Sequence, residues 1–450
     1  MGLRYFGTDG IRGADQGDFF NQEVIHSFAL AFATWLSDQR SDEELTIVIG
    51  RDTRGSGGWI EASLTEAWIA QGIHVDQLGV VPTPLVAFYA KKKKCIGVMI
   101  SASHNPFTDN GLKFFSSTGY KLTPADEQEI ENKLHDLQVL DKRAADARGT
   151  LTKVPNVLET CMQFYKTILH DKTVYSGLRI VIDCANGAAS VMAPQLFKAL
   201  GMEVLVLHDH PNGSNINEQC GSEHTAALAA RVREERASLG VAFDGDADRC
   251  IFIDEEGQVL KGDSVLGLLA LSLSQEGSLA QNQLVVTTMS NQGLHATMQH
   301  HGIEVHTTDV GDRQVVRGML EQGATLGGED SGHIICGHMH TTGDGILSAL
   351  VFIYHWKKSQ QPLSQWVKAI SIYPQTLQNV RVRSKPAIKE IPGLIEIIEK
   401  TETQLHNQGR VLIRYSGTEP ICRVMLEGPD KEILQKFSAQ ICDVIKREIG

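Results

Sequence analysis

The sequence predicts an α/β protein of several domains: three α/β domains with layered mixed sheets, then a smaller C-terminal α+β domain. Three observations predict it. The chain has 450 residues, and single hydrophobic cores stop growing at roughly 250–300 residues, so about three or four domains are expected. A short β-branched apolar run, a polar loop and a helix-period stretch recur in that order, the pattern of α/β layers with loops gathered at strand ends. After residue 362 the pattern changes, and strands and helices no longer alternate in that way.

Residues 45–50 (LTIVIG) read as a strand, Arg51-Asp52-Thr53-Arg54 as a polar loop, and 59–71 as an amphipathic helix. Residues 179–183 (RIVID) repeat the plan and lead through Asn186-Gly187 into a helix near 192–200. Residues 284–288 (LVVTT) repeat it again, with Asn291-Gln292-Gly293 ahead of the next helix. The repetition is architectural, without a residue-level repeat. Polar stretches at 141–156, 254–263 and 357–362 mark boundaries, so the expected domains are 1–150, 151–254, 255–368 and 369–450. The last holds a strand run at 376–383, helices, strands around Arg414 and Val424, and a final helix.

A formal net charge of -12 argues against a nucleic-acid binder, whose footprint is basic. An anionic substrate would need a local cluster of Arg and Lys. The first residues lack a signal-peptide core, and Phe6 stands where a myristoylation motif wants Ser or Thr. No apolar run approaches the ~20 residues that span a bilayer. The expectation is a cytoplasmic protein without a membrane partner. The eight cysteines are scattered with no C-x-x-C pair, and read as small buried residues in a reducing compartment, not as a disulfide or zinc framework.

Four loops carry candidate chemistry. A buried strand at 95–101 opens onto Ala102-Ser103-His104-Asn105-Pro106, which offers a nucleophilic hydroxyl; a plain Asn-Pro turn is the alternative. No G-x-S-x-G elbow accompanies it, so a protease-like serine is disfavoured. Asp244-Gly245-Asp246-Ala247-Asp248-Arg249 lies between two strands and sets three carboxylates at alternate positions, able to bend around one hard cation such as Mg²⁺. Arg249 stands where an EF-hand needs Gly, and a solvated acidic turn is the bland reading. Gly327-Gly328-Glu329-Asp330-Ser331-Gly332-His333 could hold sugar hydroxyls through Glu329 and Ser331. Arg414-Tyr415-Ser416-Gly417-Thr418-Glu419-Pro420, with Arg423 beyond, combines hydroxyls, backbone N–H groups and two guanidiniums as a phosphate nest. The chain has no G-x-x-x-x-G-K-[ST] loop, which disfavours a P-loop kinase.

Together with Phe6-Gly7-Thr8-Asp9-Gly10-Ile11-Arg12-Gly13, these motifs resemble, in order and from first residues to last helix, the α-D-phosphohexomutase superfamily. The resemblance implies four domains around a central cleft and a homodimer as a compatible assembly. It implies that Ser103 is the phosphoserine, and that Asp244, Asp246 and Asp248 bind one Mg²⁺ with the Ser103 phosphoryl oxygen. Arg12, His104, Lys113 and His333 match catalytic positions, and the general base stays open among His104, Lys113 and His333. Arg249, Glu329 and Ser331 match substrate contacts, and Arg414, Ser416, Gly417, Thr418 and Arg423 the site for the non-reacting phosphate.

Asn215–His224, Val310–Arg313 and Thr341–Gly345 are similar to the glucosamine branch, while Glu223, Gln314, Asp330 and Tyr415 depart from its usual residues. The implied reaction interconverts glucosamine 6-phosphate and glucosamine 1-phosphate through glucosamine 1,6-bisphosphate. It would feed amino-sugar nucleotide and cell-wall precursor synthesis. Mannose or glucose phosphates with the same mechanism, a phosphosugar phosphatase, and a non-catalytic sensor are the rival readings.

Overall fold

The computed structural model describes residues 3–7, 9–39, 44–136, 148–169, 173–405, 408–416 and 420–450. Residues 1–288 with 306–367 form one compact unit, and residues 289–305 with 368–450 form a second.

The first unit opens with a seven-stranded mixed sheet. Its strand order is Phe6–Gly7, Gly10–Ala14, Asp109–Phe115, Ile96–Ile100, Thr46–Arg51, His74–Val80, Leu151–Lys153. Thr46–Arg51 and Ile96–Ile100 pair in parallel and are buried almost throughout, which is why both read as continuous apolar runs. Helices Gln22–Gln39 and Gly57–Ala70 supply aromatic rings to one core, where Phe32 lies 5.2 Å from Phe114 and 5.7 Å from Trp68. The polar stretch expected to separate the first two domains falls partly outside the described residues. Its described end, Leu151–Lys153, pairs in parallel with His74–Val80 as an exposed edge strand, so the first sheet continues past residue 150.

Two four-stranded sheets follow. One runs Cys250–Ile253, Leu239–Phe243, Arg179–Asp183, Glu203–Leu207, and the other Glu304–Thr308, Gln283–Thr287, Leu326–Gly328, Ile334–Cys336. Both mix parallel and antiparallel pairs. In each of the three sheets a candidate loop leaves the carboxyl end of a strand: after Ile100, after Phe243 and after Gly328. That is the edge of an α/β sheet at which ligands bind.

The second unit contains a three-stranded antiparallel sheet in the order Gln375–Arg381, Ile421–Glu427, Arg410–Tyr415. Helices Leu394–Gln404 and Lys431–Ile449 pack on it through Leu394, Leu434, Phe437, Ile441 and Ile445. Among the described residues no helix is long and apolar enough to cross a membrane.

Candidate active site

Ser103 is fully buried with φ 55°, a left-handed conformation that a serine keeps only when its surroundings hold it. Here the backbone is gripped from both sides. Its N–H donates to Ser101 Oγ at 2.9 Å, and its carbonyl accepts from Arg54 Nη2 at 2.9 Å and Asn217 Nδ2 at 2.8 Å. The buried Arg54 guanidinium also donates to the carbonyls of Asn105 (2.8 Å), Asp109 (3.0 Å) and Pro106, while Nε pairs with Asp52 Oδ2 at 2.9 Å. One side chain therefore gathers much of the loop. The Ser103 hydroxyl is left to donate to Asp244 Oδ2 at 2.6 Å, with His104 Nδ1 3.4 Å away.

The aspartate loop approaches so closely that a Cβ on Gly245 would stand 2.5 Å from the Ser103 carbonyl oxygen. Asp244, Asp246 and Asp248 are buried, and each offers a carboxylate oxygen within 4.8 Å of the others. Asp246 Oδ1 and Asp248 Oδ1 are buried without a hydrogen-bond partner. Three converging carboxylates, two of them with an orphaned oxygen, fit a hard divalent cation.

The opposite oxygens are occupied. Lys113 Nζ bridges Asp246 Oδ2 at 2.8 Å and Asp248 Oδ2 at 2.7 Å, and the Thr83 hydroxyl donates to Asp246 Oδ2. Burial, then Asp248 and Asp246, push the Asp244 carboxyl well above the carboxylate range. For Asp248 burial acts upward, but Lys113 and His333 outweigh it and hold the group well below that range. Burial works to discharge Lys113, yet Asp246, Asp248 and Asp9 keep its pKa well above the ordinary value. These carboxylates favour its ammonium form.

Beside the triad lies a cavity of about 440 Å³ whose wall includes Arg12, Asp248, Arg249, Glu329, Ser331 and His333. Asp9 Oδ2 accepts from Arg12 Nη2 at 2.6 Å, and Lys121 bridges Asp9 and Asp312. Glu329, in the cavity wall, accepts the Gly311 N–H on Oε1 at 3.0 Å. His333 stands 3.7 Å from both Asp248 and Asp312. Burial lowers its pKa, but Asp248 and Asp312 raise it further than that. His104 shifts the other way, lowered by burial and then by Arg249 and Arg12.

Ser103, His104, Lys113 and the three aspartates therefore surround one point, and Asp248 links it to the Arg12, Arg249, Glu329, Ser331 and His333 cavity. In the second unit Arg414 and Arg423 are direct cross-strand partners. The Ser416 N–H donates to the Ile421 carbonyl at 2.8 Å, and its carbonyl accepts from Lys385 at 2.5 Å. Gly417 and Thr418 lie outside the described residues. Sequence reasoning missed Asp9, Arg54, Thr83, Lys121, Asn217 and Lys385. Asp9, Arg54 and Asn217 lie in stretches that the sequence singles out, whereas Thr83, Lys121 and Lys385 carry no local signal.

Four phosphoglucomutase/phosphomannomutase domain descriptions match in order: α/β/α domain I at residues 3–139, domain II at 161–257, domain III at 261–373 and the C-terminal domain at 377–444. Phosphoglucosamine mutases of Syntrophobacter fumaroxidans and Streptococcus gordonii are 41% and 42% identical to the chain, each alignment covering 99% of both proteins. The chain belongs to the phosphoglucosamine mutase family. It is a phosphohexomutase, an isomerase of the α-D-phosphohexomutase superfamily. The fold of this family is seen in a phosphoglucomutase/phosphomannomutase family protein of Burkholderia thailandensis (TM-score 0.78, 21% identity, covering 98% of this chain and 97% of that one). It is seen again in Aspergillus fumigatus N-acetylphosphoglucosamine mutase in complex with GlcNAc-6P and magnesium (TM-score 0.66, 17% identity, 99% and 96%).

Proposed function

We propose that the chain interconverts glucosamine 6-phosphate and glucosamine 1-phosphate in the cytoplasm, with Ser103 as the phosphoryl carrier. The observation that carries this reading is the buried Ser103 hydroxyl, 2.6 Å from a carboxylate of the aspartate triad. A phosphoryl group on Ser103 would pass to O1 of glucosamine 6-phosphate, giving glucosamine 1,6-bisphosphate. After the bisphosphate turns over, its 6-phosphoryl returns to Ser103 and glucosamine 1-phosphate leaves. Each transfer moves one P–O bond and one proton between a sugar hydroxyl and Ser103 Oγ.

Asp244, Asp246 and Asp248, with a phosphoryl oxygen on Ser103, would hold one Mg²⁺. Bound there, the ion supplies positive charge and Lewis acidity to the transferring oxygens. Lys113 and Arg12 add cations, since phosphoryl transfer depends mostly on positioning and electrostatics. Lys113, His104 and His333 are the candidate bases, and Lys113 is ion-paired to two of the aspartates. Of these, His104 lies beside the Ser103 hydroxyl and His333 in the cavity wall. Arg249, Glu329 and Ser331 grip the sugar; Arg414, Ser416, Gly417, Thr418 and Arg423 take the phosphate that is not reacting.

The test is a side-by-side assay of glucosamine, mannose and glucose phosphates with catalytic bisphosphate and Mg²⁺. Glucosamine phosphate should be the preferred substrate. Preference for mannose or glucose phosphate would overturn the sugar assignment, and release of inorganic phosphate without isomerisation would make the protein a phosphatase.

A further inference from the structure

A second group of metal-ligating side chains lies at the carboxyl end of the strand Arg179–Asp183. Asp183 closes that strand, His208 follows the neighbouring strand Glu203–Leu207, and Cys220 precedes a short turn at Gly221–Glu223. One ligand atom from each lies within 4.8 Å of the others. Ligands around a tetrahedral zinc ion stand roughly 3.3–3.7 Å apart, so small side-chain movements would close the set.

The residues are held as ligands are held. Asp183 is fully buried, and its two oxygens accept the backbone N–H groups of Ala185 at 2.9 Å and Gly221 at 3.1 Å. Such outer contacts fix the orientation of metal-binding carboxylates. Cys220 is 1% exposed, and Asn186 Nδ2 lies 4.0 Å from its sulfur. His208 Nδ1 is shielded from solvent and stands 3.0 Å from Asp183 Oδ2. That places an imidazole nitrogen and a carboxylate oxygen side by side, and one ligand atom of each residue lies within 4.8 Å of the Cys220 sulfur. His208 also adopts φ 50° to reach this position.

We propose that Asp183, His208 and Cys220 form a second cation site of mixed oxygen, nitrogen and sulfur character, suited to zinc and not to magnesium. Imidazole and thiolate favour the borderline and soft transition metals, whereas magnesium takes oxygen ligands. Three protein ligands leave a fourth position for water. Binding replaces the Cys220 S–H bond by a sulfur–metal bond and releases that proton to solvent.

The position gives the site a consequence. Residues 208–220 contain only turns and bends between the two ligands that end them. Within them, Asn217 donates to the carbonyls of Ser103 and Asn105. A cation at the ends of this segment staples the loop that holds the nucleophile's backbone, as closing a loop removes its conformational freedom. The proposal itself does not depend on which sugar the enzyme uses.

The probe is cobalt(II), added to the full-length protein with Mg²⁺ saturating the aspartate triad. We expect one equivalent to produce a thiolate-to-cobalt charge-transfer band and four-coordinate visible absorption, both bleached by zinc. An oxygen-only site cannot give the thiolate band, so the two sites are distinguished spectroscopically. Cys220→Ser and His208→Gln should lose the band, and Asp244→Asn should keep it. A wild-type protein that takes up cobalt without a thiolate band would overturn the proposal whatever the variants do. So would a band of equal strength in Cys220→Ser.

Discussion

Ser103 shows how far a side chain's chemistry depends on its backbone. Its hydroxyl reaches Asp244 only because the residue is held at φ 55° by Ser101, Arg54 and Asn217. Ser103→Ala leaves that framework intact and removes the carrier. Turnover is expected to fall by at least about 10³-fold, and intact-mass analysis should lose the phosphoryl adduct expected in the wild type; an unchanged adduct would end the carrier assignment. Gly245 tests position instead of chemistry. Its Cα faces the Ser103 carbonyl at a distance that excludes a Cβ, so Gly245→Ala must shift one loop. A misplacement of about 1 Å costs on the order of 10² in rate. A kcat drop of that size with unchanged circular dichroism is expected, whereas wild-type kcat would show that the loops adjust freely.

Two elements are set by charged side chains far away in sequence. Glu131, buried on helix Pro124–His135, accepts the N–H groups of Arg4, Tyr5 and Phe6 at 2.7–2.8 Å. It thereby anchors the first strand, from which Tyr5 and Gly7 continue into the cavity wall. Glutamine at 131 has one acceptor oxygen and points an amide donor at other donors. Glu131→Gln is expected to destabilise the protein by roughly 2–3 kcal/mol in urea titrations, and a change under about 0.5 kcal/mol would contradict the anchoring role. Arg54 does the same for the loop after Ile100. Arg54→Met leaves Asp52 buried and unpaired, a cost of about 3–5 kcal/mol. It also leaves Asn217 alone to hold the carbonyls of Ser103 and Asn105, so kcat should fall while the protein remains folded at low temperature. A stable variant with normal kcat would refute the clamp.

Across the first unit, stability depends on buried acids joined over long sequence separations. Asp344 caps the helix Gly345–Ser359 through the Leu347 N–H at 2.9 Å, and Tyr165 donates to its other oxygen at 2.9 Å. Burial pushes its carboxyl up to about 7, against the Leu347 N–H and the Tyr165 hydroxyl. The unfolded group titrates near 3.9, so between about pH 4 and 7 the unfolded chain gives up a proton that the folded chain keeps. Its contribution is fully present below pH 4 and is lost as pH rises through 7. Asp344→Asn cannot ionise and keeps an oxygen for the cap. The stability of the wild type relative to Asp344→Asn should therefore decline by a few kcal/mol from pH 4 to 7 and then level off; a difference independent of pH would disprove ionisation in that window. The triad makes a parallel prediction: chelation should stop turnover and lower the unfolding midpoint, with Mg²⁺ restoring both. Full activity after exhaustive chelation would rule out the metal.

The strand–loop–helix order, the smaller C-terminal domain and the candidate loops were legible in sequence, because buried strands and catalytic loops have local composition. Residues 179–183 (RIVID) form the strand as read, and 45–50 shifts by one residue. The four motif loops stood out for the same reason: each concentrates its candidate groups within a few consecutive residues. Tertiary structure alone decided what lies between them. It set Lys113 between Asp246 and Asp248, continued the first sheet through Leu151–Lys153, and brought Arg54 and Asn217 onto one serine. It also brought Asp183, His208 and Cys220 together without any spacing that a motif search would recognise. Periodicity and turn chemistry are properties of neighbours along the chain. Protonation state and ligand geometry are set by burial and by charges on other strands, which linear order does not contain.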